Sequence, residues 1–381
     1  MAGAEFGCDI DGSCPVDNVQ VPLESFGGAD SAGQMKHLVR DDGMNTFRLP
    51  MTWQFVTANK PSGPLDKANF NNFDKLVQAC LDTGAYCMLD LHNFARYDGG
   101  IIGQGGQSDD VFASLWKQIA THYAKNDKII FGLMNEPHAL DINTWAKSCQ
   151  AAVTAIREAG AESQIILLPG TNFASAETFV STGSADALAA VTNPDGTTDN
   201  LLLDLHKYLD RDNSGSHAEC TTNNVAGFQT IAEWLRKNKR LALISESGAS
   251  MDPSNDDVFV GFVGWGAGGL DVTYLLTLTP SKSGDAWTDN KLMKQCIIAI
   301  FGRPQASSTT QKPTSTSATS ATSSTSTEQT TQEAASPTPA GTRNTNANAA
   351  TRTKENAAGR VLVSTLHIIL GSILGLKLCL Q

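Results

Sequence analysis

The first 303 residues of this 381-residue chain predict an α/β fold, a (β/α)8 or TIM barrel. Apolar runs typical of strands alternate with segments of helical periodicity, and seven such runs recur about every 35 to 40 residues. Runs that are apolar along their whole length are typical of a parallel sheet covered by helices. Seven of them within about 300 residues favour a closed barrel over an open doubly wound sheet.

Each predicted strand stays apolar until its last few positions. The seven runs lie at residues 45–50, 85–93, 128–136, 163–170, 200–208, 240–248 and 259–268. Segments of helical period, such as FQTIAEWLRKNK, separate most of them. Since no comparable run precedes Phe6, we expect the first strand of the barrel to be missing or reduced to a stub.

Polar and charged side chains gather at the predicted strand ends. In a (β/α)8 barrel the active site is built at the C-terminal ends of the strands. A helix cap or a turn could account for polar residues at one strand end. Polar residues at several strand ends on the same rim indicate a functional site. The candidate residues are Arg48, His92, Asn93, Asn135, Glu136, His206, Tyr208, Glu246 and Trp265.

Two of these residues are glutamates whose spacing predicts a reaction. Glu246 follows Glu136 by 110 residues (246 − 136), or three repeat units, which places them across the barrel mouth from each other. A facing pair of carboxylates hydrolyses glycosides: one protonates the leaving oxygen, and the other attacks the anomeric carbon or activates water. Arg48 beside one carboxylate would keep it ionised, while burial and like charge would raise the pKa of the other.

Several motifs resemble those of the retaining cellulases of glycoside hydrolase family 5, in particular the fungal endo-β-1,4-glucanases. They are FRLP, LHN, GLMNEPH, LHKYLD and LISESG, together with IIGQGG, HAECTTNN and GWGAG. The resemblance runs from about residue 6 to residue 301. It implies hydrolysis of internal β-1,4 bonds of cellulose or related β-glucans by double displacement, with Glu136 as acid/base and Glu246 as nucleophile.

The resemblance also implies roles for the other rim residues. Asn135 would hydrogen-bond the sugar 2-hydroxyl, where contacts strengthen in the transition state. Arg48 and Tyr208 would hold and polarise the nucleophile. The substrate-binding set is completed by Trp265 as a stacking platform, by His92 and His206 lining the subsite of the cleaved sugar, and by Asn93.

The sequence departs from the family pattern after the nucleophile strand. The stretch ESGASMDPSNDDVFVGF is short, so we expect the helix between the seventh and eighth strands to be short or absent, and Cys220 and Cys296 to lack their usual partners. Two alternatives stay open: a β-mannanase or other β-glucanase of the same family, and a cell-wall protein on a degraded barrel that binds glucan without cutting it. Trp53 is either a second sugar platform or a loop anchor.

Net charge and cysteine content limit the kinds of molecule that this chain is expected to bind. The net charge of −11 and the lack of Lys/Arg clusters argue against nucleic acid and anionic lipid. Eight cysteines, with the close pairs Cys8/Cys14 and Cys80/Cys87, are typical of disulfides formed in an oxidising compartment, although Cys149 has no evident partner. Because CxxC metal spacing is absent, we expect no metal, and we expect no cofactor. We also expect a monomer that acts on neutral β-glucan.

The C-terminal part of the chain has a different composition. Residues 304–360 form a Ser/Thr/Pro-rich linker that predicts a disordered, O-glycosylated stalk. Residues 361–381 are apolar and predict either a cleaved GPI signal or a membrane anchor. Small residues at 348–350, a polar spacer and Lys377 inside the tail favour the GPI signal. We expect an extracellular protein attached to the cell surface or wall, whose true N-terminus and signal peptide lie upstream.

Overall fold

The computed structural model describes residues 1–23, 30–217, 221, 223–248, 259–271 and 273–299. These residues belong to a compact unit that includes Met1–Arg303. The predicted stalk (304–360) and tail (361–381) lie outside the described residues, as does the stretch 249–258 on which the prediction of a missing helix falls. Among the residues described, no helix is both long and apolar enough to cross a bilayer.

Strands and helices alternate along the chain, as the sequence predicts. The strands of the described part are β1 (Thr46–Met51), β2 (Tyr86–Leu91), β3 (Arg96–Tyr97), β4 (Gly100–Ile101), β5 (Ile129–Gly132), β6 (Ile165–Pro169), β7 (Leu201–Lys207), β8 (Ala242–Ser247), β9 (Phe259–Gly264), β10 (Ser281–Ser283) and β11 (Ala286–Thr288). The helices are α1 (Ser31–Arg40), α2 (Trp53–Thr57), α3 (Lys67–Leu81), α4 (Asp109–Tyr123), α5 (Ile142–Glu158), α6 (Ser184–Ala189) and α7 (Val225–Asn238). A 3-10 turn (Val16–Asn18) precedes them and a π-helical segment (Met293–Ile298) follows them.

One parallel sheet of seven strands carries the fold. Its order is β1-β2-β5-β6-β7-β8-β9, and every neighbouring pair is parallel. The edge strands β1 and β9 approach each other, so the sheet is a nearly closed barrel surrounded by helices. The remaining strands form two antiparallel hairpins, β3–β4 and β10–β11. The predicted barrel class is confirmed.

Three of the long helices, α3, α4 and α5, begin at side-chain caps and bury one face each. Asp66, Ser108 and Asp141 accept hydrogen bonds from backbone N–H groups in the first turns of α3, α4 and α5. These caps satisfy donors that the helix itself leaves unpaired. Trp116 on α4 and Trp145 on α5 are fully buried, so both indoles pack in the core.

A bulge in the pairing of β7 with β8 positions two rim residues. The parallel register shifts after Leu205, so that His206 lies opposite Glu246. A bulge bends a strand locally and redirects the side chains next to it. Here it brings the imidazole Nδ1 of His206 to 4.0 Å from Oε2 of Glu246.

The gap between β1 and β9 is bridged by the N-terminal residues, and we call the region formed by β1, β9, Met1, Ala2 and residues 266–269 the seam. Ala2 pairs in parallel with Gly268. Its N–H donates to the Ala267 carbonyl at 2.8 Å, and its carbonyl accepts from Gly269 N–H at 2.8 Å. Within the described residues, this is the stub that the sequence predicts in place of a full first strand.

Side chains from outside the sheet complete the seam. The amide of Gln34 on α1 donates to the Gly268 carbonyl at 3.0 Å and accepts from Gly268 N–H at 3.0 Å. A cavity of about 280 Å³ remains between the sheet edges and the flanking helices. Its lining includes Leu38, Gly43, Phe47, Phe262 and Met293.

The cysteine pairing agrees with most of the predictions. Cys8–Cys14 and Cys80–Cys87 are disulfides, and Cys149 is a free, buried thiol on α5. Burial raises the pKa of the Cys149 thiol well above its ordinary value. Cys296 is disulfide-bonded. The expectation that Cys220 and Cys296 lack their usual partners stays a prediction, because Cys220 lies outside the described residues.

Candidate active site

Arg48 lies at the centre of the hydrogen-bond network at the strand ends. Its Nη1 donates to Glu246 Oε2 at 2.5 Å, and its Nη2 donates to Asn135 Oδ1 at 2.6 Å. The same Nη2 lies 3.0 Å from Oδ1 of Asp90. Burial alone would lower the pKa of Arg48, but the charges of Asp90 and Glu246 outweigh it and raise that pKa. The guanidinium therefore stays charged while it is almost wholly buried.

Glu246, near the end of β8, is held as a carboxylate. Tyr208 Oη donates to its Oε1 at 2.8 Å, opposite the bond from Arg48 to Oε2. Burial alone would raise the pKa of Glu246, but the charges of His206, Arg48 and His92 and the Tyr208 hydrogen bond hold it below its ordinary value. An ionised carboxylate whose two oxygens are both oriented is the state that a nucleophile needs.

Glu136 follows β5 in a strained backbone conformation. Its φ of 45° lies in the left-handed region, which is uncommon for a residue with a side chain and is found at functional sites. Its Oε1 lies 3.0 Å from Nδ1 of His206, whose Nε2 is 3.0 Å from Ser245 Oγ. Burial would lower the pKa of His206, yet the charges of Glu246 and Glu136 and the bond to Glu136 raise it. His206 can thus supply a proton beside Glu136.

The two glutamates lie close together across the barrel mouth. Carboxylate oxygens of Glu136 and Glu246 and a ring nitrogen of His206 all lie within 4.8 Å of one another. Retaining glycosidases hold their two carboxyl groups about 5 to 5.5 Å apart, whereas inverting enzymes need about 6.5 to 9.5 Å to admit a water. The arrangement leaves no room for an attacking water between them, so it suits direct attack by one carboxylate.

Trp265 lies beside Arg48 and His92, at the end of β9. Its ring stacks on His92 with 5.7 Å between centroids and 20° between planes, and the guanidinium of Arg48 lies 5.8 Å from its ring centre. His92 is itself oriented by Asp90, whose Oδ2 lies 2.8 Å from the imidazole Nδ1. The structure therefore brings the predicted stacking platform to the predicted catalytic pair.

Two glycines press against the ring of Tyr208. A Cβ atom added at Gly215 would lie 2.6 Å from the Tyr208 ring, and one added at Gly248 would lie 2.9 Å from it. Gly215 also has a φ of +70°, which disfavours any other residue. The phenol that orients Glu246 is thus fixed from two sides by bare backbone.

Asp90 and Asp204 belong to the site and were missed by the sequence analysis. Both lie inside apolar strand runs, two residues before a predicted site histidine, in the repeated pattern Asp-Leu-His at 90–92 and 204–206. Asp90 is ionised, because the charge of Arg48 outweighs its burial and lowers its pKa. Burial raises the pKa of Asp204 to about 6, and its Oδ1 makes no hydrogen bond. The repeated pattern was the signal that could have identified both.

Asn93 is the one predicted site residue whose side chain points to other partners. Its Oδ1 accepts from Trp53 N–H at 2.7 Å, and its Nδ2 donates to Gln54 Oε1 at 2.8 Å. Trp53 is fully buried, which makes it a loop anchor rather than a sugar platform. The structure thus gives Asn93 contacts within the loop after β2, and its contact with substrate stays a prediction.

Three groups of side chains among the described residues have the composition of a cation site. Their donor atoms lie within 4.8 Å of one another in each case. One is the catalytic cluster, where Arg48 already supplies the positive charge beside Glu246. The others are Asp210, Asp212 and His217 in the loop after β7, and His37, Asp42 and Asp289 outside the site.

The fold and the paired carboxylates define the class of this protein, a glycoside hydrolase on a (β/α)8 barrel. A family model for cellulase, glycosyl hydrolase family 5, matches residues 11–266. The chain belongs to this family, as the motifs at the strand ends indicate.

Known relatives agree with this assignment. The chain is 52% identical over 316 residues to endoglucanase EG-II of Hypocrea jecorina, covering 78% of this chain and 76% of the relative. It is 44% identical over 306 residues to endoglucanase 1 of Saitozyma flava, covering 75% and 85%. Among solved structures, Cel5A (EG2) from Hypocrea jecorina superposes with a TM-score of 0.75 at 51% identity, over 78% of this chain and 96% of that chain.

Proposed function

We propose that this protein is a retaining endo-β-1,4-glucanase that cleaves internal bonds of cellulose or related β-glucans through Glu136 and Glu246. The observation that carries the proposal is the proximity of the two carboxylates, within 4.8 Å, in opposite surroundings. Glu246 is buried between Arg48 and Tyr208, while Glu136 is more exposed and contacts His206. Different surroundings for two facing carboxylates assign them different roles.

In the first step Glu246 forms a bond to the anomeric carbon while the bond to the leaving glycosidic oxygen breaks. Glu136 gives its proton to that oxygen, so the departing sugar leaves as an alcohol. Attack neutralises the charge on Glu246. The positive charge of Arg48 is then balanced by the carboxylate of Asp90. In the second step Glu136 takes a proton from water, which attacks the anomeric carbon and releases Glu246.

The remaining rim residues bind and orient the sugar. Asn135 accepts from Arg48 with its oxygen, so its amide nitrogen is oriented to donate to the sugar 2-hydroxyl. Trp265 offers an aromatic face to the apolar face of glucose. His92 stacks on Trp265 and holds its ring in place.

The roles of the two glutamates are tested by matched Glu→Gln variants. Glu246→Gln should abolish turnover on every substrate, by about 10⁴-fold or more, because no other group can form the glycosyl-enzyme. Glu136→Gln should lose activity on cellulose but retain the first step on an aryl glycoside whose leaving group needs no proton. Equal rates for the two variants on that aryl glycoside would reverse or remove these assignments.

The substrate is tested with the purified chain and three polysaccharides. Reducing ends released from carboxymethyl cellulose, β-mannan and barley glucan should be highest for one of the two glucans. A β-mannanase would release most from mannan. A protein that binds glucan without cutting it would be retarded in glucan affinity gels and would release no reducing ends.

We also propose that the mature enzyme is extracellular, monomeric and attached to the cell surface by a GPI anchor. The support is the composition of the segment after residue 303: a Ser/Thr-rich stalk, small residues at 348–350, a polar spacer and an apolar end. A phospholipase specific for GPI anchors should release the protein from membranes. Peptides from residues 361–381 in the mature protein would show a spanning helix instead.

A further inference from the structure

A second cluster of acidic residues and histidine lies beside the seam. His37 is in the last turn of α1, Asp42 follows that helix, and Asp289 follows β11. Nε2 of His37 lies 2.9 Å from Asp289 Oδ1 and 3.6 Å from Asp42 Oδ2. All three side chains are about nine-tenths buried or more, with 5%, 7% and 10% of their side-chain surface exposed for His37, Asp42 and Asp289.

Asp42 is the unusual member of this cluster. Its Oδ2 is buried and makes no hydrogen bond. A buried carboxylate oxygen without a donor is costly, so its place is one where a positive charge would be favourable.

The carboxylates of the cluster differ in how well they are paired. His37 faces Asp41, Asp42 and Asp289. Asp41 is also bonded to Arg40 through both of its oxygens, and the charge of Lys294 acts on Asp42. Oδ2 of Asp42 is left without a hydrogen-bond donor.

The ring of His37 is oriented as in a metal-binding histidine. Asp41 Oδ2 lies 2.6 Å from Nδ1, which fixes the ring so that Nε2 faces Asp42 and Asp289. Metal-binding histidines commonly donate their second ring N–H to a carboxylate in this way. One imidazole and two carboxylates are a donor set that suits zinc and similar ions, whereas calcium and magnesium prefer oxygen ligands alone.

We propose that His37, Asp42 and Asp289 bind one Zn²⁺ ion, with water as the fourth ligand and Asp41 orienting the imidazole. This goes beyond the proposed function and does not depend on it, because the cluster shares no residue with the catalytic site. It departs from the expectation that the chain holds no metal, which rested on the absence of CxxC spacing; a site of histidine and aspartate brought together by folding does not depend on that spacing.

The position of the ion gives it a structural role. Leu38 and Gly43, next to His37 and Asp42, line one flank of the seam cavity, and Met293, four residues after Asp289, lines the other. The ion therefore joins the start of the barrel to its end at the place where the sheet has the least pairing. Both ring nitrogens of His37 now face carboxylates, so binding displaces a proton from Nε2 into solvent.

The test is calorimetric titration of ZnCl2 into the full chain after EDTA treatment and dialysis. We expect one ion per chain, proton release of about one when buffers of different ionisation enthalpy are compared, and a rise in Tm of about 5 °C at a hundredfold excess over Kd. Asp42→Asn and Asp289→Asn keep the side-chain shape and should weaken Kd at least tenfold. Asp285→Asn, an exposed carboxylate of the same hairpin, is the matched control and should leave Kd unchanged.

Several outcomes would overturn the proposal. Absence of stoichiometric binding to the wild type would do so, as would equal binding by the wild type and both Asn variants, since the ion would then lie at another group such as the catalytic carboxylates. A zinc-edge anomalous map from soaked wild-type crystals locates the ion even if a variant fails to fold. Hydrolysis of carboxymethyl cellulose by Asp42→Asn should remain within about twofold of the wild type, which separates this site from the catalytic one.

Discussion

The catalytic rim and the seam belong to the same sheet but are held together in different ways. At the rim, parallel ladders set the positions of β1, β2, β7 and β8, and buried charges connect their ends through Arg48. At the seam, among the residues described, an isolated bridge pairs Ala2 with Gly268, and Gln34 adds two side-chain hydrogen bonds. Catalytic geometry therefore depends on strand register and on buried ion pairs, while closure of the barrel depends on a few side chains.

This difference predicts that activity and stability respond to different substitutions. A change at the rim should affect both quantities, because its charges are both catalytic and buried. A change at the seam should lower stability and leave the chemistry of the folded protein intact. The four variants below test the separation, in order of decreasing expected effect.

Arg48→Gln should have the largest effect. It leaves the buried carboxylates of Glu246 and Asp90 without their cation, which costs about 3–5 kcal/mol of unfolding free energy. Loss of a charged donor at the nucleophile should also lower kcat by about 10²–10³-fold. Urea unfolding and hydrolysis of carboxymethyl cellulose measure the two effects. Arg40→Gln removes an exposed ion pair and should change stability by less than about 1 kcal/mol; a similar loss in both variants would contradict this account.

Gln34→Ala should destabilise the seam without changing catalysis. It leaves the N–H and the carbonyl of Gly268 without their Gln34 partners, at a cost of about 2–3 kcal/mol. The kcat/KM measured well below the unfolding temperature should stay within about twofold of the wild type. Gln78→Ala, on the exposed face of α3, serves as the control. If Gln34→Ala lowered kcat as much as stability, the seam and the rim would be one cooperative unit.

Asp204→Asn should change the pH dependence of stability. The folded pKa of Asp204 is about 6, above its ordinary 3.8. Between pH 3.8 and about 6, Asp204 is therefore protonated in the folded state and ionised in the unfolded state. This group makes the wild type less stable as pH rises from about 4 to 6. The variant should gain about 2 kcal/mol relative to the wild type on going from pH 4 to pH 7. Calorimetric Tm values at both pH values test this, and a relative loss at pH 7 would reverse the sign.

Gly215→Ala should give the smallest effect, and relative to its control the effect should appear in kcat. Its methyl group meets the Tyr208 ring and displaces the phenol from Glu246, and we expect kcat to fall about tenfold, or about 1.4 kcal/mol. Gly196→Ala is the matched control, because Gly196 also has a positive φ, +81°, but a Cβ there meets nothing within 4 Å. Both variants should lose similar stability from backbone strain. Equal kcat values for Gly215→Ala and Gly196→Ala would show that the contact between Gly215 and the Tyr208 ring does not affect catalysis.

The sequence was sufficient for the strands and for most of the rim. The apolar run at 45–50 became β1 at Thr46–Met51, and the run at 200–208 became β7 at Leu201–Lys207. Such runs report burial on both faces, and their polar endings mark the open end of a barrel. Glu136 and Glu246 could therefore be placed at one rim from their position alone.

The sequence was insufficient where contacts span the chain or contradict the local pattern. Asp90 and Asp204 lie inside apolar runs, where a pattern of hydrophobicity gives no reason to select them. Gln34 meets Gly268 across 234 residues, and no local signal encodes that contact. The bulge that sets His206 beside Glu246 depends on how two strands pair, which neither strand shows by itself.

The buried thiol of Cys149 makes it possible to detect opening of the fold by alkylation. Burial excludes reagents from the sulfur and raises its pKa, so the thiolate that alkylating agents attack is scarce in the closed protein. Alkylation at this position therefore requires α5 to separate from the barrel, and its rate counts those events. Where reclosing is faster than alkylation, peptide mapping after timed exposure to iodoacetamide would give the equilibrium population of the open state, without denaturant and without any measurement on glucan.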